Sequence, residues 1–119
     1  MLEKTMKSYL SDLLDLRGVI LTLIIARDGF IIESAMKSDI PLESLSAVAS
    51  AGFGSSVVMG EEMNLSDLNQ TIFEFDQGKI VLTALGDQSI LAVVTNNNAI
   101  IGNIRHNMIK IVRRLADFF

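Results

Sequence analysis

Apolar residues recur at steps of three and four near the start of the chain: Leu2, Met6, Tyr9, Leu10, Leu13 and Leu14, with Glu3, Lys4, Lys7, Asp12 and Asp15 between them. That period predicts an amphipathic helix with one face for a core, ended by Arg17-Gly18. Val19 to Ala26 (VILTLIIA) is short, continuously apolar and rich in β-branched residues, which predicts a strand covered on both faces. Asp28-Gly29 then separates this run from Phe30 to Ala35, and an Asp-Gly pair between apolar runs predicts a type I′ hairpin turn. Asp39-Ile40-Pro41 reads as a helix start, with Asp39 as the cap and Pro41 in the first turn. The helix runs from about Leu42 to Asn64, and Ser66 to Asn69 forms a loop.

Three strands follow: Thr71 to Asp76 (TIFEFD, alternating with period two), Lys79 to Leu85 and Ser89 to Thr95, separated by turns at Gln77-Gly78 and Gly86-Asp87-Gln88. Asn96-Asn97-Asn98 supplies candidate caps for a last helix that buries Ile101, Ile104, Met108, Ile111, Leu115 and Phe118. His106, Lys110, Arg113, Arg114 and Asp117 fall on its other side. The order is α-β-β-α-β-β-β-α. Tight turns join all strands but one pair, so the five-stranded sheet is mainly antiparallel. Two strands with no solvent face require helices on both sides, hence a single three-layer α/β/α sandwich domain over residues 1–119.

Residues 44–60 (SLSAVASAGFGSSVVMG) carry no charge, whereas the outer face of a monomer's surface helix normally does. On a helical wheel, Leu42, Leu45, Val48, Ala49, Gly52, Phe53, Met59 and Met63 form a broad arc suited to packing on a sheet. The opposite stripe is Ala47, Ser50, Ala51, Gly54, Ser55 and Val58, small and uncharged. Small residues at this spacing let a second helix approach closely, most simply the same helix of a second copy. The plainer reading is an edge helix exposing Ser and Ala. Large uncharged surfaces are rarely left uncovered, which favours a partner.

Composition sharpens this picture. Half of the 119 residues are hydrophobic, and mean hydropathy is +0.42. The longest aliphatic run falls far short of the ~20 residues of a membrane span, and Met1-Leu2-Glu3-Lys4 lacks the pattern of a secretion signal. Neither spanning nor insertion is expected. The absence of cysteine excludes disulfides and thiolate chemistry and fits a cytoplasmic protein. A net charge of −4 disfavours nucleic acid as a partner. The charge is segregated, with eight acids and one base in residues 39–96 against four bases and one acid in residues 97–119. A solvated face explains either part. The basic last helix could instead meet an acidic partner or anionic lipid.

Catalytic chemistry is missing. Gly78-Lys79 is followed by Ile80 where a phosphate-binding loop needs Ser or Thr. Gly52-Phe53-Gly54 lacks the third glycine of a dinucleotide fingerprint and sits within a helix. The lone His106 is a poor centre for a metal site, and no serine occupies a nucleophile elbow. The chain therefore reads as a non-enzyme with no catalytic residue, no cofactor and no metal. No cluster of polar or aromatic residues marks a small-ligand pocket.

The element order, IARDGFIIES at residues 25–34, the uncharged central helix and LAVVTNNNAIIGNIRHNMIKIVRRL near the end together resemble the roadblock/LC7 family, whose domains are profilin-like. The resemblance covers nearly the whole chain. It implies a sheet with the first and last strands inside. It also implies homodimers or heterodimers, in which the long helices pack together and strands equivalent to Thr71–Asp76 pair into one sheet. Ile72, Phe73, Glu74 and Phe75 would then join the helix stripe at the interface, with Glu74 deterring unwanted edge contacts. Family members are non-catalytic regulators or scaffolds of small Ras-like GTPases and light chains of dynein, and the bacterial polarity regulators among them stimulate hydrolysis by a partner. The resemblance thus implies a homodimeric regulator of a small Ras-like GTPase. Glu43, Glu61 and Glu62 at the rim of the paired helices are the candidate partner surface. The alternative is a structural dimerisation module in a motor or membrane-anchored scaffold. A small-ligand sensor ranks below both.

Overall fold

The computed structural model describes residues 4–119. Leu2 and Glu3, expected in the first helix, lie outside the described residues. Helix α1 spans Met6–Leu14 and starts at a capping box that the apolar pattern did not reveal. The Thr5 hydroxyl accepts from the Ser8 N–H at 3.1 Å, and the Ser8 hydroxyl accepts from the Thr5 N–H at 2.9 Å. Two donors that a helix start leaves orphaned are thereby satisfied. Leu10 and Leu13 are buried beneath the helix.

Strand β1 (Val19–Ala26) and β2 (Ile31–Met36) form the expected hairpin, but the turn differs. A type I′ turn needs positive φ at both central residues, and only Gly29 has it, at +94°. The Gly29 N–H bonds the Ala26 carbonyl at 2.8 Å, and the Ala26 N–H bonds the Phe30 carbonyl at 2.8 Å. This is a three-residue loop closed by a left-handed glycine. The Asp28 carboxylate accepts from the Phe30 N–H instead of adopting positive φ.

Helix α2 spans Glu43–Glu62 and begins later than Asp39-Ile40-Pro41 suggested. Leu42 is its N-cap, with no side-chain cap bond, so Asp39 caps nothing and Pro41 lies before the helix. At the other end Asn64 adopts φ +56°, and the Asn64 and Leu65 N–H groups bond the carbonyls of Glu61 and Gly60. This double closure ends the helix before Asn64.

Strands β3 (Gln70–Phe75), β4 (Gly78–Leu85) and β5 (Ser89–Asn96) follow, then α3 (Ile101–Leu115) and a short 3₁₀ turn at Ala116–Phe118. The asparagines do not cap α3, whose N-cap is Ile100. Asn96 Oδ1 accepts from the Asn98 N–H, and the Asn97 amide donates to the Asp76 carbonyl, so they shape the loop. Ile104, Met108 and Leu115 are buried and Ile101 and Ile111 half-buried, but Phe118 lies beyond α3, exposed and edge-on to Tyr9.

The sheet order is β2-β1-β5-β4-β3, antiparallel throughout. β1 and β5 are inside, as the resemblance implied. The crossover through α2 carries the chain from one edge, β2, to the other, β3. One face packs Ile24, Val81, Leu91 and Val93 against α1 and α3; the other packs Leu21, Leu23, Leu82 and Ile90 against α2. The three expected layers are present.

Candidate functional site

The surface that distinguishes this domain lies along α2 and the edge strand β3. Leu42, Ser46, Ala49 and Phe53 face the sheet and are buried. Phe53 also carries the Arg27 guanidinium over its ring, 4.8 Å from the centroid. Ser50, expected on the outer stripe, is buried and donates from its hydroxyl to the Arg27 carbonyl. The residue belongs to the contact between α2 and the β1–β2 turn. Ala47 borders that contact as well: a Cβ on Gly29 would lie 3.3 Å from its Cα. Ala47, Ala51, Gly54, Ser55 and Val58 are exposed as expected, and a Cβ on Gly54 would meet nothing within 4 Å.

The opposite flank of α2 corrects the wheel further. Val48 is 68% exposed, Met59 64% and Met63 69%, whereas the helical wheel puts all three on the sheet-facing arc. At the α-helical rotation of ~100° per residue, Val48 and Met59 stand roughly 140° and 120° from Phe53, well outside the arc a single sheet covers. They overhang β3 instead. A cleft of about 150 Å³ beside Val48 is lined by Leu45, Gly52, Phe73 and Phe75, with Phe75 58% exposed. A second, of about 390 Å³, continues past Met59 and Met63 to Leu65, Leu68 and Thr71. An apolar groove therefore follows α2 along the free edge of the sheet.

Strand β3 supplies the other wall. Phe73 is half-buried towards α2, and Gly52 meets its ring (a Cβ there would be 3.5 Å away). Ile72 and Glu74 alternate onto the other face, with Glu74 opposite Lys79 on β4. Among the described residues β3 pairs only with β4, so its outer backbone groups meet no partner strand there. Glu43 lies in the first turn of α2 and Glu61 and Glu62 in the last, all exposed. About 28 Å of helix separates the two ends, so the three glutamates form two acidic spots, not one.

The fold also builds a polar cleft that no local sequence signal marked. Arg27, Glu61, Asp67, Asn69 and Asp87 converge from four segments around about 500 Å³. Arg27 Nε is buried there without an acceptor among the described residues. His106 is exposed on α3, and no group of three or more His, Asp or Glu among the described residues is placed to hold a metal. No helix among them is long and apolar enough to cross a membrane.

The fold thus sets an uncharged, exposed stretch of helix beside a free sheet edge. The roadblock/LC7 domain matches residues 6–95, and the chain belongs to that family. An uncharacterized protein of Methanocaldococcus jannaschii is 32% identical over 117 residues, covering 98% of this chain and 95% of that protein. A roadblock/LC7 domain from Streptomyces avermitilis superposes with a TM-score of 0.89 at 16% identity, covering 97% of this chain and 98% of that one. The gliding protein MglB of Thermus thermophilus superposes with a TM-score of 0.85 at 16% identity, covering 92% and 84%.

Proposed function

We propose that this protein is a cytoplasmic homodimer that binds a small Ras-like GTPase and modulates its hydrolysis or nucleotide state without supplying a catalytic group. The observation that carries the reading is the apolar groove along α2 beside the unpaired edge of β3. Val48, Met59, Met63 and Phe75 are exposed together there, and an unpaired strand lies alongside. A second copy related by a two-fold axis covers the helix flank and pairs the strand in one step. Ala51, Gly54 and Ser55 are small enough to let the second helix approach closely. Self-association within this fold has a parallel in MglB, for which a tetrameric arrangement is described.

The GTPase part of the reading rests on family membership and on the lack of a nucleotide-binding or catalytic motif in the chain. A regulator of this kind acts by repositioning groups of its partner. The acidic spots at Glu43 and at Glu61-Glu62 are the assigned partner contacts.

Two measurements test the reading. Light scattering at micromolar concentration should return twice the 13.0 kDa chain mass; a monomer would refute the dimer. Affinity capture from native extract, with GDP or a non-hydrolysable GTP analogue present in turn, should retain a small GTPase in one state preferentially. Capture of an elongated or anchored partner regardless of nucleotide would favour the scaffold role instead.

A further inference from the structure

The two layers of helices differ in charge. Glu43, Glu61 and Glu62 lie on α2, on one side of the sheet, and Asp67 in the loop that follows it. On the other side α3 carries Arg105, Lys110, Arg113 and Arg114, all exposed, and the exposed acids beside them are Asp12 and Asp15 at α1 and Asp117 after α3. Arg105 is held by the side-chain oxygen of Gln70 at 2.7 Å. The ion pairs on this side among the described residues are Lys4–Asp12 and Lys7–Glu33, and neither uses a cation of α3. Exposed, unpaired cations contribute almost nothing to folding. Ile109, 49% exposed, stands among them. Between α1 and α3 a groove of about 190 Å³ is lined by Lys4, Tyr9, Asp12, Asn107, Lys110 and Arg114.

We propose that the α1–α3 face docks on the surface of an anionic lipid bilayer, peripherally and without insertion. At ~100° per residue Lys110 and Arg113 share the outermost arc of α3, about 60° apart, while Arg105 and Arg114 lie on its two flanks. The groove beside them is lined mostly by charged and polar side chains around the half-buried Tyr9, and among the described residues no aromatic ring is buried there as a protein hot spot would need. A fluid anionic surface rewards the number of cations that face it, not shape, and a cluster of four to eight basic residues on a helix marks a site for anionic lipid. Pairing through α2 and β3 brings the outward-facing α3 cations to four, with Arg105 and Arg114 of each protomer on the flanks. Contact between the two α2 helices requires both on one face of the joined sheet, which puts both α1–α3 layers on the other. This doubling rests on the dimer reading of the previous section; the lipid preference of a single α3 face does not. The acidic face is then turned away from the bilayer, towards soluble partners.

The test is co-sedimentation of the full chain with phosphatidylcholine vesicles containing either none or about 40% phosphatidylglycerol, at about 50 and 500 mM salt. Binding is expected only to the anionic vesicles, weakening at least about tenfold at the higher salt. Lys110→Glu with Arg113→Glu should weaken it by a similar factor while leaving the circular-dichroism melting curve in place. Val48→Glu, designed to give monomers, should bind at least about tenfold more weakly with the same lipid preference. Light scattering on the same samples reports the dimer separately, so a monomeric wild type that still prefers anionic vesicles refutes the dimer alone. Equal binding to both vesicle types, no binding at low salt, or full binding by the charge-reversed variant overturns the proposal. Capture by soluble polyglutamate with no vesicle binding overturns it in favour of an acidic protein partner.

Discussion

Ser50 on α2 donates its hydroxyl hydrogen to the backbone carbonyl of Arg27, the residue that follows β1. This bond ties α2 to the β1–β2 turn. Ser50→Ala should lower stability by about 1 kcal/mol, measured by urea unfolding, because a part-buried carbonyl loses its donor. The molecular mass in solution should not change. A loss of dimers in Ser50→Ala would return Ser50 to the interface stripe.

Arg27 and Phe53 form the second tie between the same elements, with the guanidinium 4.8 Å from the ring centroid. Phe53 is fully buried among Leu21, Leu23 and Ile90. Phe53→Ala should cost about 4 kcal/mol in equilibrium unfolding, from lost burial and the cavity left behind. A cost under about 1 kcal/mol would mean that α2 is not seated on the sheet as described.

Gly18 joins α1 to β1 with φ +82°, and a Cβ there would lie 2.2 Å from the backbone nitrogen of Ala99. Neither the backbone angle nor the close approach tolerates a side chain. Gly18→Ala should therefore destabilise by at least about 3 kcal/mol, combining left-handed strain with a backbone clash. A melting temperature equal to wild type would contradict that packing.

Val48 and Phe75 flank one cleft from opposite walls, both exposed. Val48→Glu or Phe75→Asp should leave the thermal stability of the isolated chain within about 1 kcal/mol, since neither side chain is in the core. Each should raise the dimer dissociation constant at least about a hundredfold in sedimentation experiments, by burying a charge in an apolar interface. Ala51→Glu should act in the same direction. Dimers of unchanged affinity in all three variants would exclude the α2–β3 groove as the interface.

Glu61→Lys with Glu62→Lys tests the partner surface. The double variant should keep the dimer mass yet weaken GTPase capture about tenfold, chiefly through slower association. Glu43→Lys, at the far end of the helix, should have its own separable effect. Unchanged capture in both variants would move the partner site elsewhere.

Much of the architecture was legible from local pattern. Val19–Ala26 could only be an inner strand, since every position in it is apolar or Thr and no solvent face exists. Period and turn residues located the other strands to within a residue or two. At turns and helix caps the differences fell where one backbone group had two means of satisfaction. Asp28, Asp39 and Asn96 each had the chemistry of a turn or cap, but which backbone group a side chain meets depends on how the flanking elements are held. The Thr5–Ser8 capping box escaped because apolar period alone does not mark a cap.

The sequence by itself determined the element order, the three layers and the existence of an uncharged helix face, because these follow from periodicity and from the cost of leaving apolar residues in water. Only the tertiary structure decided which way α2 is rolled. That roll buries Ser50 against Arg27 and turns Val48 and Met59 out above β3. It also decided that Arg27, Glu61, Asp67 and Asp87 share one cleft. A wheel gives angles between residues of one helix but no origin for them. The origin is set by long-range contacts, here Phe53 on the sheet and a turn more than twenty positions earlier in the chain.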